Sequence, residues 1–158
     1  MNIASPWPTS KNATINPFLE IVIHALNIIG LESRRDGISD IFINDRKISG
    51  NAQKRIKGAI LHHGTCLLDV YIEKMTKYLR IPPERKGLPH DKFVSSLSNL
   101  GHEITFDEFQ DLIIKSLEES DNVIKKIDLV SERTNLLDKA RDLSSNTYSQ
   151  NEWIFRRK

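Results

Sequence analysis

The 158 residues are 39% hydrophobic and 28% charged with a net charge of +2, which suits one water-soluble domain burying about two-thirds of its unfolded surface. A single cysteine, Cys66, excludes an internal disulfide framework and fits a reducing compartment. The small net charge gives no case for nucleic acid, no apolar run reaches the ~20 residues of a membrane span, and the start MNIASPWPTSKNATINP lacks the basic-then-apolar pattern of a signal peptide, so a cytoplasmic protein is expected.

Residues 1–15, with Pro6, Trp7 and Pro8 among them, read as an extended lead-in to a domain spanning 16–158. Asn16-Pro17 opens a helix with Asn as N-cap and Pro in the first turn, and Gly30 ends it. Phe18, Val22, Ala25 and Ile29 form its apolar stripe, widened by Leu19, Ile23 and Leu26, while Glu20, His24 and Asn27 make the wet edge. Residues 31–38 lead into the centre of the chain.

Residues 41–70, IFINDRKISGNAQKRIKGAILHHGTCLLDV, break into short runs at Asn44-Asp45 and Lys57-Gly58. Such punctuation predicts consecutive antiparallel strands at 41–44, 46–54 and 59–68. A period of two puts Lys47, Ser49 and Asn51 on one face and Ile48, Gly50 and Ala52 on the other. An ammonium, a hydroxyl and an amide side by side can cradle an anion, and residues 45–58 carry five Lys/Arg against one Asp. Adjacent strand residues point to opposite faces, so His62 and His63 are poorly placed to share a metal and read as a structural or hydrogen-bonding pair. Cys66, in an apolar strand, reads as a packed thiol.

Asp69 is expected to cap a short helix through Ile72, Met75 and Leu79, stopped before Pro82-Pro83. Residues 84–90 are loop, and FVSSLSNL at 93–100 is a short serine-rich piece. Thr105-Phe106-Asp107-Glu108 is a capping-box pattern opening a helix over 106–118 with Phe106, Phe109, Leu112, Ile113 and Leu117 inside. Asp121-Asn122 ends it, 123–130 suggests a strand, and Ser131 caps a helix bearing Leu136, Leu137, Ala140 and Leu143. Ser149 to Glu152 reads as a second capping box. The whole is an α+β fold, an antiparallel sheet covered by the 17–29 and 106–118 helices.

DRKISGNAQKR followed by ILHHGTCLLDV closely resembles the central motif of the lipoate–protein ligase A family, within the biotin/lipoate ligase and octanoyltransferase superfamily. YLRIPPERK, FVSSLSNL and NTYSQNEWIF are similar to later segments of the same catalytic domain, so the resemblance covers nearly all of 16–155. It implies a biotin/lipoate ligase-like (class II synthetase-like) sheet. It implies ATP-dependent activation of lipoate to lipoyl-adenylate and transfer to a lysine of a carrier domain, of the 2-oxoacid dehydrogenase or glycine cleavage type. The motif lysine aligns with Lys47, to which the resemblance carries the catalytic role; Asp40, Ser49, Gly50, Asn51 and Ala52 would line the nucleotide and lipoyl-adenylate pocket. The family often has asparagine where this chain has Ser39. Any Mg²⁺ would ride on phosphate oxygens, since the sequence has no dedicated carboxylate cluster.

One departure is large. The family carries an Arg-Arg-x-x-Gly-Gly-Gly loop upstream of this region, whereas the seven glycines here begin at Gly30 and none are adjacent. Asn2-Ile3-Ala4-Ser5 resembles the strand that follows that loop, so the chain reads as the second half of a catalytic domain. Such a half is expected to expose an apolar face where other strands pack. Three readings stay open: a ligase completed by a subunit carrying the glycine-rich loop, a non-catalytic paralogue that binds nucleotide or carrier domain, and an octanoyl/lipoyl transferase. The transferases of this superfamily place their cysteine before the lysine strand, where this chain has none.

Overall fold

A computed structural model describes residues 2–6, 16–56, 59–120 and 134–156. The chain forms two compact units, Met1–Asn122 and Val123–Lys158. In the first, helix α1 (Asn16–Ile28) is followed by strands β2 (Ser33–Asp36), β3 (Asp40–Ile43), β4 (Arg46–Ile56) and β5 (Ala59–Cys66). With β1 (Asn2–Pro6) they make a five-stranded sheet in the order β1-β5-β4-β3-β2, every neighbouring pair antiparallel. Then come α2 (Ile72–Tyr78), a 3₁₀ turn (Pro83–Arg85), α3 (His90–Phe93), a second 3₁₀ turn (Ser98–Leu100) and α4 (Phe106–Glu118).

The core lies between the sheet and the α1 and α4 helices. Leu19, Val22, Ala25 and Leu26 of α1 and Phe109 and Ile113 of α4 pack with Ile41, Ile43 and Ile48. The two helices are also pinned by a polar contact, because Ser116 Oγ donates to the Ile21 carbonyl at 2.7 Å and lies 3.1 Å from His24 Nδ1. His24, expected on the wet edge, is indeed exposed, and its other nitrogen faces Glu119 at 3.5 Å.

α1 ends as Gly30 suggested. The Gly30 N–H bonds the Asn27 carbonyl and the Leu31 N–H bonds the Leu26 carbonyl. That pair of bonds is a Schellman cap and needs the left-handed φ of +79° that glycine adopts freely. Buried Leu31 then turns the chain back into the core.

Several expectations need correction. Residues 33–36, taken as a lead-in, are the edge strand β2. Their SRRD sequence is mostly exposed and offers no apolar alternation to mark a strand. Asp69 does not cap α2; the N-cap is Tyr71, without a side-chain bond, and Asp69 accepts from Ser98 Oγ at 2.8 Å. Phe106 is 69% exposed, because it occupies the first helical position, outside the stripe of Phe109 and Ile113. The break at 121–122, the strand at 123–130 and the Ser131 cap lie outside the described residues.

In the second unit, α5 (Thr134–Leu143) runs into a π-helical turn (Ser144–Tyr148) and α6 (Asn151–Ile154). The capping box expected there does not form: Gln150 is the N-cap without a side-chain bond, and Ser149 Oγ bonds back to the Ser145 carbonyl. The π turn draws the hydroxyl backwards. Tyr148 and Trp153 meet edge to face at 4.9 Å, with the Arg156 guanidinium over the indole.

The box at α4 does form. Glu108 N–H donates to Thr105 Oγ1 at 3.2 Å, and Glu108 Oε2 accepts from the Thr105 N–H at 2.8 Å. The Thr105 N–H, and second the Thr105 hydroxyl that also donates to Oε2 at 2.8 Å, hold the Glu108 carboxyl below its ordinary range. Thr105→Ala is expected to cost about 1 kcal/mol of stability, read as a lowered urea midpoint with unchanged slope.

His62 links sheet to helix. Its ring is fully buried and stacks on Phe18 of α1, centroids 4.8 Å apart and planes within 8°. Burial, with the neighbouring His63 charge second, pushes its pKa down from 6.5 to about 4. A folded-state pKa below the unfolded one means the unfolded chain takes up a proton that the native chain refuses. Stability from this group is therefore complete above pH 6.5 and is lost as pH falls toward 4. The loss amounts to up to about 3 kcal/mol. Urea midpoints of the parent chain should fall across this window more steeply than those of His62→Phe; equal slopes would refute the assignment.

Candidate functional site

The site residues are arranged by one irregularity in the β3–β4 hairpin. The turn at Asn44-Asp45 joins Ile43 to Arg46, with Asn44 at φ +53°. Asparagine tolerates that left-handed region better than most residues. Phe42 pairs with Lys47, but Ile41 pairs with Ser49, so Ile48 is an extra residue in β4, a β-bulge. The period-two assignment of faces therefore fails across Ile48.

Antiparallel partners share a face. Asp40 pairs with Gly50 and Gly50 with Thr65, while Phe42 pairs with Lys47. Alternation along β3 joins Phe42 to Asp40, so Lys47 shares its face with Asp40, Gly50, Ala52, His63 and Thr65. Ser49, Asn51, His62 and Cys66 fall on the opposite face, with Ile41. Burial agrees: Ala52, His63 and Thr65 are exposed, whereas Ile48, Ser49 and His62 are buried under the helices. The two adjacent histidines thus point apart as expected, and no group of three or more His, Cys, Asp or Glu able to hold a metal exists among the described residues.

On the open face, Lys47 Nζ lies 2.7 Å from Asp40 Oδ2, and both side chains keep about a third or a quarter of their exposure, 33% and 26%. The aliphatic stem of Lys47 lies across Gly50: a Cβ there would sit 3.2 Å from Cε and 3.3 Å from Nζ. Glycine at 50 thus gives the lysine its resting place. The backbone of Lys47 is fixed from its other side, because the Ser95 N–H donates to the Lys47 carbonyl at 3.0 Å and Lys47 bridges Val94. The serine-rich 93–100 piece is tied in turn to the chain after β5, through Leu97 N–H to Leu67 O and Ser98 N–H to Leu68 O.

On the covered face, Asn51 Nδ2 donates to the Ser39 carbonyl and to Ser49 Oγ, each at 2.9 Å, and Asn51 Oδ1 faces His62 Nε2 at 3.2 Å. Ser39 Oγ then donates to Asp40 Oδ1 at 3.2 Å. A Cβ on Gly64 would overlap the Asn51 amide oxygen, so glycine opposite Asn51 makes the arrangement possible. Of the six expected site residues, Asp40, Lys47, Gly50 and Ala52 share the open face, and Ser49 and Asn51 lie behind the sheet. His62 and the Ser39 carbonyl belong to the same network. Across a hairpin, the pairing of Asn51 with the strand of His62 was the signal that could have joined them.

Cys66, only partly buried, packs against the core, and burial pushes its thiol up to about 12. A thiol that holds its proton so firmly is no nucleophile at neutral pH. Among the described residues of the open face, Leu61 at 39% exposure is the one exposed large hydrophobe. No helix among the described residues is long and apolar enough to cross a membrane.

The lipoyl protein ligase A/B catalytic domain model matches residues 3–118. Lipoate-protein ligase A of Blochmanniella floridana is 36% identical over 109 residues, 63% of this chain and 32% of that protein. Lipoate-protein ligase A subunit 1 of Thermoplasma acidophilum is 27% identical over 161 residues, 92% of this chain and 58% of that one. Among solved structures, a bi-partite lipoate protein ligase from Thermoplasma acidophilum, described with its E2 lipoyl domain, shares the fold. Its TM-score is 0.78 at 23% identity, over 96% of this chain and 61% of that chain. The chain thus spans about a third of the length of the first relative and under two-thirds of the Thermoplasma subunit. With the match running from β1 to the end of α4, the chain belongs to the lipoyl protein ligase A/B catalytic domain family.

Proposed function

We propose that this chain takes part in ATP-dependent activation of lipoate and in transfer of the lipoyl group to a carrier-domain lysine, together with a polypeptide that carries a glycine-rich loop. The observation that supports it is the Lys47 ammonium lying over Gly50 on the open face of the sheet. In such a reaction the lipoate carboxylate attacks the α-phosphate of ATP and pyrophosphate leaves. The carrier lysine amine then attacks the acyl carbon and AMP leaves. Both steps concentrate negative charge on phosphate and acyl oxygens, where a fixed ammonium is worth most.

Asp40 holds Lys47 in place until the anion arrives. The pair keeps access to solvent, and such a partly exposed pair is worth about 1 kcal/mol, so a phosphate can displace the carboxylate. Gly50 leaves room for the Lys47 stem, and Ala52, with only a methyl, gives the nucleotide close access to the strand. Ser49 and Asn51 act from behind, through Ser39 and Asp40. Mg²⁺ would enter with the nucleotide on its phosphate oxygens, since Asp40 is already paired with Lys47 and no carboxylate cluster able to hold a metal exists among the described residues. The carrier is a lipoyl domain of the 2-oxoacid dehydrogenase or glycine cleavage type, and the setting is cytoplasmic. The transferase alternative lacks its nucleophile, because Cys66 is held protonated behind the sheet.

Lys47 stabilises charge on one side of the reacting centre, and in-line displacement needs donors on the other. The chain by itself is therefore expected not to lipoylate a carrier domain with ATP, Mg²⁺ and lipoate, and to do so once mixed with a polypeptide bearing a Gly-Gly-Gly loop. Mass spectrometry of the carrier reads the gain of one lipoyl group. No gain with any such polypeptide, while nucleotide still binds, would favour the non-catalytic paralogue.

Within the active mixture, Lys47→Ala is expected to slow lipoyl-adenylate formation by about 10²–10³ with the fold intact by circular dichroism. A near-normal rate would remove Lys47 from the chemistry.

A further inference from the structure

We propose that His62 is a positioning residue for Lys47: its Nε2–H holds the Asn51 amide in the orientation that clamps Ser39, and so keeps the Asp40 carboxylate against the lysine on the other side of the sheet. The importance given to Lys47 rests on the ligase reading; the geometry does not.

The argument starts at the Ser39 carbonyl, which can only accept. It receives the Asn51 backbone N–H at 3.0 Å and Asn51 Nδ2 at 2.9 Å. The amide must therefore present its nitrogen to Ser39, since a flipped amide would set two oxygens against each other. Its oxygen is thereby aimed at His62 Nε2, 3.2 Å away, and that nitrogen has to carry the proton. His62 Nδ1 is buried without a partner, so no competing bond favours the other tautomer. The stack on Phe18 holds the ring in register with the amide.

The backbone of Asp40 is held by its pairing with Asp36 and Gly50, but the turn before it has few side-chain anchors, which is where the clamp matters. Gly37 has a φ of +62°, and Ile38 is 81% exposed, contributing almost no packing. Ser39 and Asp40 are consecutive, and both carboxylate oxygens of Asp40 are engaged, one by Ser39 Oγ at 3.2 Å and one by Lys47 Nζ at 2.7 Å. Loss of the His62 donor leaves Asn51 Oδ1 against a group that cannot donate, so the amide is held only through its nitrogen, by the Ser39 carbonyl and Ser49 Oγ. The bond to the Ser39 carbonyl is loosened, and with it the place of the Asp40 carboxylate.

The experiment uses the full chain alone, without nucleotide or acyl substrate. Nitrogen-15 NMR of labelled histidine reads the His62 tautomer at pH 7, and acetic anhydride labelling followed by mass spectrometry reads the acetylation rate of Lys47 against exposed Lys139. The expected results are an Nε2–H tautomer in the parent chain and a Lys47 rate that rises several-fold in His62→Phe, which keeps the ring stack but has no donor. His62→Gln, whose amide can donate to Asn51, should bring the rate back toward the parent value. Asn51→Ala breaks the same clamp from the other end and should raise the rate as His62→Phe does, which covers the case in which His62→Phe fails to fold. An Nδ1–H tautomer, or a Lys47 rate unchanged in folded His62→Phe or Asn51→Ala, would overturn the proposal. Failure of the ligase reading would appear only in the mixture assays and would leave these measurements standing.

Discussion

Between the Phe42–Lys47 and Ile41–Ser49 pairs, β4 uses two residues where β3 uses one, and the two faces of the sheet are assigned at that step. Upstream of the bulge Lys47 looks outward. Downstream, a strict alternation would have sent Gly50 inward and Ser49 outward. The extra residue, Ile48, is instead absorbed into the core with Ile41 and Ile43, and Gly50 comes round beneath the lysine. Bulges re-aim side chains at the cost of an interrupted ladder. Here the interruption is repaired from outside, because Leu67 N–H bonds the Ile48 carbonyl and Ser95 N–H bonds the Lys47 carbonyl. Lys47 and Ile48 are thus fixed along the backbone by two segments outside the β3–β4 hairpin, those of Ser95 and Leu67.

Much of the fold was legible because its signals are local. The Thr105 and Glu108 box needs only four residues to state itself, and it forms as written. Gly30 marks a helix end for the same reason. The three central strands were legible from Asn44-Asp45 and from the gap near Gly58, and they lie within a residue or two of the expected bounds. What the sequence hid was set by partners. Ser33–Asp36 is a strand because Arg34 and Arg35 pair with Phe42 and Ile41, with the Arg34 guanidinium lying 5.4 Å from the Phe42 ring centroid. Nothing in Ser-Arg-Arg-Asp itself says so. Ser149 could equally have capped α6, and it turns back because the preceding turn is π-helical.

The site was half legible for a related reason. The residues singled out in the sequence do meet at one hairpin, but the side each takes was not legible. Lys47, Ser49 and Asn51 look like one polar row when period two is carried straight through, and the bulge that divides them leaves no mark in the sequence other than an isoleucine among polar neighbours. Once divided, the six residues take different jobs. The open face carries a cation with a displaceable counter-ion. The covered face carries neutral groups, each with a fixed donor or acceptor role, which is what a buried polar cluster requires.

The two glycines of the hairpin follow from this division. Gly50 and Gly64 sit in neighbouring pairs of the β4–β5 ladder, Gly50 opposite Thr65 and Gly64 opposite Asn51, so they point to opposite faces. A strand interior loses packing and entropy for each glycine, and two so close together would ordinarily weaken a ladder. Each is required by what lies above it. At 50 the space is filled by the Lys47 stem, and at 64 by the Asn51 amide. The former clears room for the Lys47 stem, and the latter for the neutral amide behind it. Both functions run through the same two rungs of one hairpin, with the sheet backbone between them. That is how a buried histidine on one side can hold a lysine on the other without the two side chains meeting.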